Sequence, residues 1–240
     1  QVAGLALGKA KGVFVVSEDL LDLVESCYRG VARKTEVVPM GTGEQFQPGD
    51  REVDRAALEL GEGMAVLFVG DLSVAKGIRD LLEARKQVLE QGGDFRLFFA
   101  GSGPLEDEIS GVEGCRLLGS LSQEELASWY RAADLLVLPS HSEGTPVVVM
   151  EALSCGTPVL ATRVGGVPGL IEPGLTGELV DPEQPAQLAG KLLDLLASPA
   201  VLDGMRKTIL AKNFDFSASS CADRINARLG ELPGGGEKAA

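Results

Sequence analysis

Residues 135–161, LLVLPSHSEGTPVVVMEALSCGTPVLA, decide the fold. Residues 135–138 are apolar at every position, strand-like in length, and end at Pro139. A polar loop with Gly144 follows, and an apolar stretch over 144–154 is predicted to be a helix. Cys155-Gly-Thr-Pro158 interrupts it, and 158–161 is predicted to be the next strand. A strand without polar alternation is buried on both faces, which means a parallel sheet covered by helices on either side.

The same alternation continues in both directions. Strands are expected at 13–16, 36–39, 65–69, 95–100, 116–118 and 177–180. Ser17 is expected to cap a helix to about Tyr28, with Glu18 and Asp19 in its first turn. A helix is expected over 78–90, and a short acidic one after Gly101-Ser-Gly-Pro104. Ser122-Gln-Glu-Glu125 reads as a capping box opening a helix to Ala132. Asp181-Pro182 is expected to start a helix running to Ala197, followed by helices at 200–212 and 217–229. Residues 40–50 read as a polar connection and 233–240 as a flexible tail. The pattern divides the chain into a first strand–helix unit with its connection (1–40), a Rossmann-like domain (41–213), and a C-terminal helix and tail (214–240).

Composition excludes several classes. The 240 residues carry 22 basic and 35 acidic side chains, a net charge of −13. Such a chain lacks the basic field that tracks nucleic-acid phosphates. No apolar run reaches the roughly 18 residues that span a bilayer. The start does not resemble a signal peptide, since Lys9 and Lys11 follow the apolar part, and a cytoplasmic setting is expected. The first residue is Gln1, so a fragment boundary is expected there. Cysteines at 27, 115, 155 and 221 fit no zinc spacing and are expected to be buried, reduced thiols. His141 is the only histidine, and no Asp-x-Asp triplet offers a metal clamp.

In a parallel sheet, ligands sit at the carboxyl ends of strands. Four loops there draw attention. The first, Gly70-Asp-Leu-Ser-Val-Ala-Lys-Gly77, brings Lys76 to a helix start, where backbone amides already favour an anion. The second, Gly101-Ser-Gly-Pro104, lacks the third glycine of a dinucleotide fingerprint, which argues against a nicotinamide dehydrogenase. The third holds Glu143 and Glu151, eight positions apart; carboxylates accept hydrogen bonds from sugar hydroxyls. Glu151 lies among Val148, Val149, Met150, Ala152 and Leu153, so it either faces solvent as a polar stripe or is buried with a partner. The fourth, Thr162-Arg-Val-Gly-Gly166-Val-Pro168, repeats the strand-then-glycine pattern.

Together these loops resemble the C-terminal, donor-binding half of a family 4 (group 1) glycosyltransferase of GT-B fold. The resemblance rests on Gly70-Asp71-Leu72 with Lys76-Gly77, Gly101-Ser-Gly-Pro104, and Ala133-Asp134-Leu-Leu-Val-Leu-Pro139-Ser140. It continues through Glu143 and Glu151, Cys155-Gly-Thr-Pro-Val-Leu-Ala-Thr162, Gly165-Gly-Val-Pro-Gly169 and Gly174-Leu-Thr-Gly177. Upstream, Val13-Phe-Val-Val-Ser17 looks like the last strand of the family's N-terminal domain. Val37-Val-Pro-Met-Gly41 with Phe46-Gln-Pro48 looks like its linker.

The resemblance implies a retaining, metal-independent transfer of a hexose from a nucleoside-diphosphate sugar, UDP- or GDP-linked, to a hydroxyl acceptor, with no cofactor. It implies that Glu143 is catalytic and hydrogen-bonds the donor sugar. It places Gly70 and Lys76 at the diphosphate, and the amides of Gly144, Thr145 and Val147 at sugar and phosphate. Glu151 would hold the ribose, and Leu118 and Leu121 would edge the base. Most of an N-terminal domain, the usual acceptor side, would be missing; through it the whole protein could also meet a membrane surface. At three places the chain departs from the family pattern: Asp71 replaces an arginine, Met40 an asparagine, and Gly169 a glutamate. Alternative readings are a non-catalytic nucleotide-sugar-binding module and a GT-B epimerase or phosphorylase.

Overall fold

The computed structural model describes residue 7, residues 9–38 and residues 41–231. Pro39, Met40 and the 233–240 tail lie outside the described residues. A small unit comprises β1 (Val13–Val15), α1 (Glu18–Cys27) and β2 (Thr35–Val37), with the two strands paired in parallel. Ser17 caps α1, its hydroxyl accepting from the Leu20 N–H.

The rest is built on one sheet. In chain order its elements are α2 (Arg51–Ala57), β3 (Ala65–Val69), α3 (Ile78–Glu90), β4 (Arg96–Ala100), α4 (Glu106–Ile109), β5 (Cys115–Gly119) and α5 (Gln123–Ala132). Then come β6 (Leu135–Leu138), α6 (Val147–Ser154), β7 (Val159–Thr162), β8 (Gly177–Val180), α7 (Pro185–Ala197), α8 (Pro199–Lys212) and α9 (Ala218–Glu231). The strand order is β5-β4-β3-β6-β7-β8, all parallel. This is the Rossmann-like α/β fold that the apolar runs predict.

The strands show why no polar alternation was possible. Leu67, Leu136 and Ala161 point into one core with Trp129, Tyr130, Val149 and Leu153 of α5 and α6. Val66, Phe68, Val137 and Leu160 point into a second core with Ile78, Leu81 and Val88 of α3 and Leu192 of α7. Each fully buried Leu, Val or Phe contributes roughly 1.5–3 kcal/mol of hydrophobic stabilisation.

Three local expectations are corrected. The helix after β6 starts at Val147, not Gly144, because Thr145 precedes a proline and Pro146 takes the extended N-cap conformation. The helix after β8 starts at Pro185 with Gln184 as N-cap, so the first-turn proline is Pro185 and not Pro182; Asp181 instead pairs with the Gln187 side chain. Helix α2 falls between the 40–50 connection and β3, where no element is expected. None of its residues is buried. It is held by Asp50 at its N-cap and by ion pairs of Asp54 with Arg131 and of Arg51 and Arg55 with Asp134.

The segment after β2 and the segment leading into α9 meet at Thr42. Its N–H donates to the Phe216 carbonyl at 2.7 Å, and its carbonyl accepts from the Ala218 N–H at 3.0 Å. Its hydroxyl also donates to the Phe216 carbonyl at 3.1 Å. Beyond this clasp, α9 returns to β2, with Arg224 donating to the Val37 carbonyl at 2.9 Å. Among the described residues no helix is long and apolar enough to cross a membrane.

Candidate donor site at the switch point

The sheet order reverses direction at β3. Chain progress runs to β4 and β5 on one side and to β6, β7 and β8 on the other. Loops leaving β3 and β6 therefore part in opposite directions, and the crevice between them is where ligands bind in such folds. Two of the three sequence-predicted charged residues, Lys76 and Glu143, sit on these loops.

Lys76 is delivered by a tight turn after β3. Gly77 adopts φ +71° as the N-cap of α3, and a Cβ there would lie 2.0 Å from the Pro139 carbonyl oxygen. Only glycine lets the β3 loop approach the end of β6 this closely. Lys76 Nζ then donates to Glu143 Oε1 at 2.7 Å. The Ser140 hydroxyl donates to the same oxygen, also at 2.7 Å. The Ser140 carbonyl is held in turn by the Thr162 hydroxyl at 2.5 Å. The Glu143 side chain is only 9% exposed, and Oε2 accepts from no described group. Ser140 was not predicted as a site residue. A signal was present, since serine three residues before a glutamate is the spacing of a reciprocal cap.

The backbone after Glu143 is fixed by the β7 loop. Gly166 N–H donates to the Gly144 carbonyl at 2.8 Å. Gly165 has φ +51°, and a Cβ there would stand 1.9 Å from the Glu143 carbonyl oxygen. The Thr145 hydroxyl donates to the Val16 carbonyl at the end of the small unit, at 2.8 Å. Among the described residues, no backbone or side-chain acceptor takes the N–H groups of Gly144, Thr145, Val147 or Val148. Pro146 has no N–H. These amides thus stand free at a helix N-terminus beside Glu143, an arrangement suited to an anion. Val148 joins the three predicted amides because α6 begins later than expected.

Glu151 is buried, not a solvent stripe. It projects from α6 to α5, where the Tyr130 hydroxyl donates to Oε2 at 2.9 Å. Burial pushes the Glu151 carboxyl above its ordinary 4.5, and the Tyr130 hydrogen bond opposes that. Burial, then the neighbouring Glu151 charge, hold the Tyr130 phenol well above its ordinary range. Oε1 accepts from no described group. Glu143 and Glu151 therefore have different neighbours, one set by the β3 loop and the other by α5.

The remaining predicted residues behave differently. The Gly70 N–H is already committed to the Ala100 carbonyl at 3.0 Å, and its carbonyl abuts Gly101, where a Cβ would stand 2.0 Å away. Gly70 thus offers close approach rather than a donor, and the Gly-x-Gly turn serves to lock the β3 and β4 loops together. Leu118 and Leu121 line a cavity of about 350 Å³ with Leu58 and Trp129. Lys76 and Glu143 do not line that cavity. Asp71 is exposed, and its side chain has no hydrogen-bond partner among the described residues. His141 Nε2 lies 2.7 Å from Asp80 Oδ2, tying the β6 loop to α3. No three His, Cys, Asp or Glu side chains among the described residues converge as metal ligands. The expected burial of the cysteines holds for Cys155 and Cys221, whereas Cys115 is half-buried and Cys27 is exposed.

The family model described as "Glycosyl transferases group 1" matches residues 63–198. A D-inositol 3-phosphate glycosyltransferase of Segniliparus rotundus is 33% identical over 213 residues, covering 83% of this chain and 47% of that protein. One of Mycolicibacterium vanbaalenii is 38% identical over 209 residues, covering 77% of this chain and 45% of that protein. The chain thus spans about half the length of the curated relatives it matches. Among solved structures, Anabaena Alr3699/HepE in complex with UDP superposes with a TM-score of 0.82 at 23% identity, over 95% of this chain and 66% of that one. Sucrose-phosphate synthase from Thermosynechococcus elongatus superposes at 0.74 with 29% identity, over 94% and 59%.

Proposed function

This chain belongs to the group 1 glycosyl transferases, and from that membership we propose that it forms the nucleotide-sugar half of a retaining hexosyltransferase. The observation that carries the reading is the Lys76–Glu143–Ser140 cluster beside four unpaired amides at the switch point. A nucleoside diphosphate meets there a lysine and a helix N-terminus, which offset its charge with no metal assigned. On donor arrival Lys76 turns from Glu143 to the diphosphate. Glu143 is the catalytic residue of this reading: Oε2 accepts from donor-sugar hydroxyls and Ser140 keeps the carboxylate in place. Electrostatic stabilisation of the departing diphosphate is the chief catalytic contribution.

Gly144, Thr145 and Val147 supply N–H donors to sugar and phosphate, Glu151 accepts from the ribose, and the β5 loop near Leu118 and Leu121 edges the base. A UDP-sugar is the first donor to test, because a protein of the same fold has been captured with UDP-glucose. The curated relatives' name makes an inositol phosphate the first hydroxyl acceptor to test. A partner N-terminal domain, carrying the acceptor side, completes the reaction in this reading.

Calorimetric titration of the folded chain with UDP, UDP-glucose and GDP-sugars tests the donor site. Saturable heat with one of them is expected; no heat with any overturns the reading. Asp71, standing where the family has arginine, favours a second reading, a module that binds nucleotide-sugar without transferring it. Product analysis on a chain extended by the complete preceding domain separates the two, and also separates transfer from epimerisation or phosphorolysis.

A further inference from the structure

We propose that Tyr130 is a positioning residue for donor recognition: its hydroxyl holds one oxygen of Glu151 so that the other is presented to the ribose hydroxyls. The proposal rests on the donor-site reading above and adds a residue on a different element from the loops that carry it.

Tyr130 cannot move aside. Its side chain has no exposed surface. Its ring meets Phe46 edge-on, with centroids 5.9 Å apart. Its carbonyl accepts from the Thr157 hydroxyl at 2.5 Å. Its helix is capped reciprocally by Ser122 and Glu125. The one polar atom of the ring donates to Glu151 Oε2 at 2.9 Å.

Glu151, by contrast, sits on a helix whose surroundings are apolar, and it has no other described hydrogen-bond donor. The charged and titratable groups around it are Tyr130 on α5, Cys155 at the C-cap of α6, and beyond Cys155 the Arg131–Asp54 pair. None of the others donates to it. Without the phenol the carboxylate has nothing to fix its rotamer, and a buried acid that swings or takes a proton is a poor acceptor for a diol.

The readout is the affinity ratio between UDP and 2′-deoxy-UDP, measured by calorimetry. A hydrogen bond to a charged acceptor corresponds to about 10- to 100-fold in affinity. The natural chain is expected to prefer UDP by at least about 10-fold. Tyr130→Phe is expected to bring the ratio near one by weakening UDP and leaving 2′-deoxy-UDP unchanged. Thr157→Val, which disturbs the Tyr130 backbone but not its hydroxyl, is expected to lower the melting temperature and keep the ratio. If Tyr130→Phe does not fold, it is added to Glu151→Gln, which leaves no unpaired buried charge; the double variant is expected to show the same ratio as Glu151→Gln alone, and a further change overturns the proposal. A wild-type ratio in the phenylalanine variant overturns the proposal. Equal binding of both nucleotides by the natural chain overturns it too, while leaving the donor site standing. Binding of neither overturns the donor site itself.

Discussion

Lys76 Nζ and Glu143 Oε1 lie 2.7 Å apart, and the contact spans two loops that leave the sheet in opposite directions. The pair places a cation and an acceptor in one crevice and makes them compete. Lys76 cannot serve a diphosphate fully while it serves the carboxylate. Glu143→Gln is therefore expected to bind UDP at least as tightly as the natural chain but a UDP-sugar more weakly. Lys76→Ala is expected to weaken both by about 10-fold or more, the loss of a charge-assisted bond. Titrations of the three proteins with UDP and a UDP-sugar check this. Lys76 is 31% exposed, so the pair contributes at most about 1 kcal/mol to stability and melting should hardly change.

The close approach at Gly165 makes a second test. Alanine there meets the Glu143 carbonyl and must adopt a left-handed conformation, which alone costs roughly 1–2 kcal/mol. Gly165→Ala is expected to lower the melting temperature by several degrees and to abolish detectable nucleotide binding, because the Glu143–Gly144 backbone has to shift. Gly190, inside α7, has no neighbour within 4 Å of an added Cβ. Gly190→Ala is expected to gain about 1 kcal/mol, or roughly 2–4 °C in a chain of this size. Thermal melts of both variants are the measurement.

Glu151 gives a pH dependence with a definite sign. Burial raises its folded-state pKa above 4.5, so the folded protein holds this proton more firmly than the unfolded chain. The associated stability is fully present below about pH 4.5 and is lost as pH rises through the elevated value. Glu151→Gln stays neutral throughout. It is expected to melt above the natural protein at about pH 7.5 and to lose that advantage near about pH 4. Melting curves across that interval decide it; an advantage that grows on acidification contradicts the sign.

Thiol reactivity separates the cysteines. Burial pushes the Cys155 thiol up to about 12, and its surface is almost wholly covered. Cys27 is exposed. Because thiolate is the reacting form, a disulfide reagent at about pH 8 is expected to label Cys27 first and Cys155 only after denaturation. Peptide mapping after timed labelling checks the order.

β3, β6 and β8 could be read from sequence to the residue, because Gly70, Pro139 and Asp181 stop each run at its carboxyl end. Helix α2 could not. It buries none of its residues and is held by salt links to Arg131 and Asp134, roughly eighty positions away in sequence. Such a helix leaves no apolar stripe. The switch-point pair was legible because lysine and glutamate each stand next to a glycine that marks a turn. Tyr130 was not, since its partner lies 21 positions off on another helix and its ring reads as ordinary core. The apolar pattern alone extends the helix back over Gly144 and Thr145, although Pro146 favours extended backbone just before it.

The Thr42 clasp has a mechanical consequence. The segment that leaves β2 and the segment that enters α9 are joined by three hydrogen bonds at Thr42, so neither can slide along the other without breaking them. Any reorientation of the two parts must also break the Thr145–Val16 and Arg224–Val37 hydrogen bonds, which latch the small unit to the rim of the crevice and to α9.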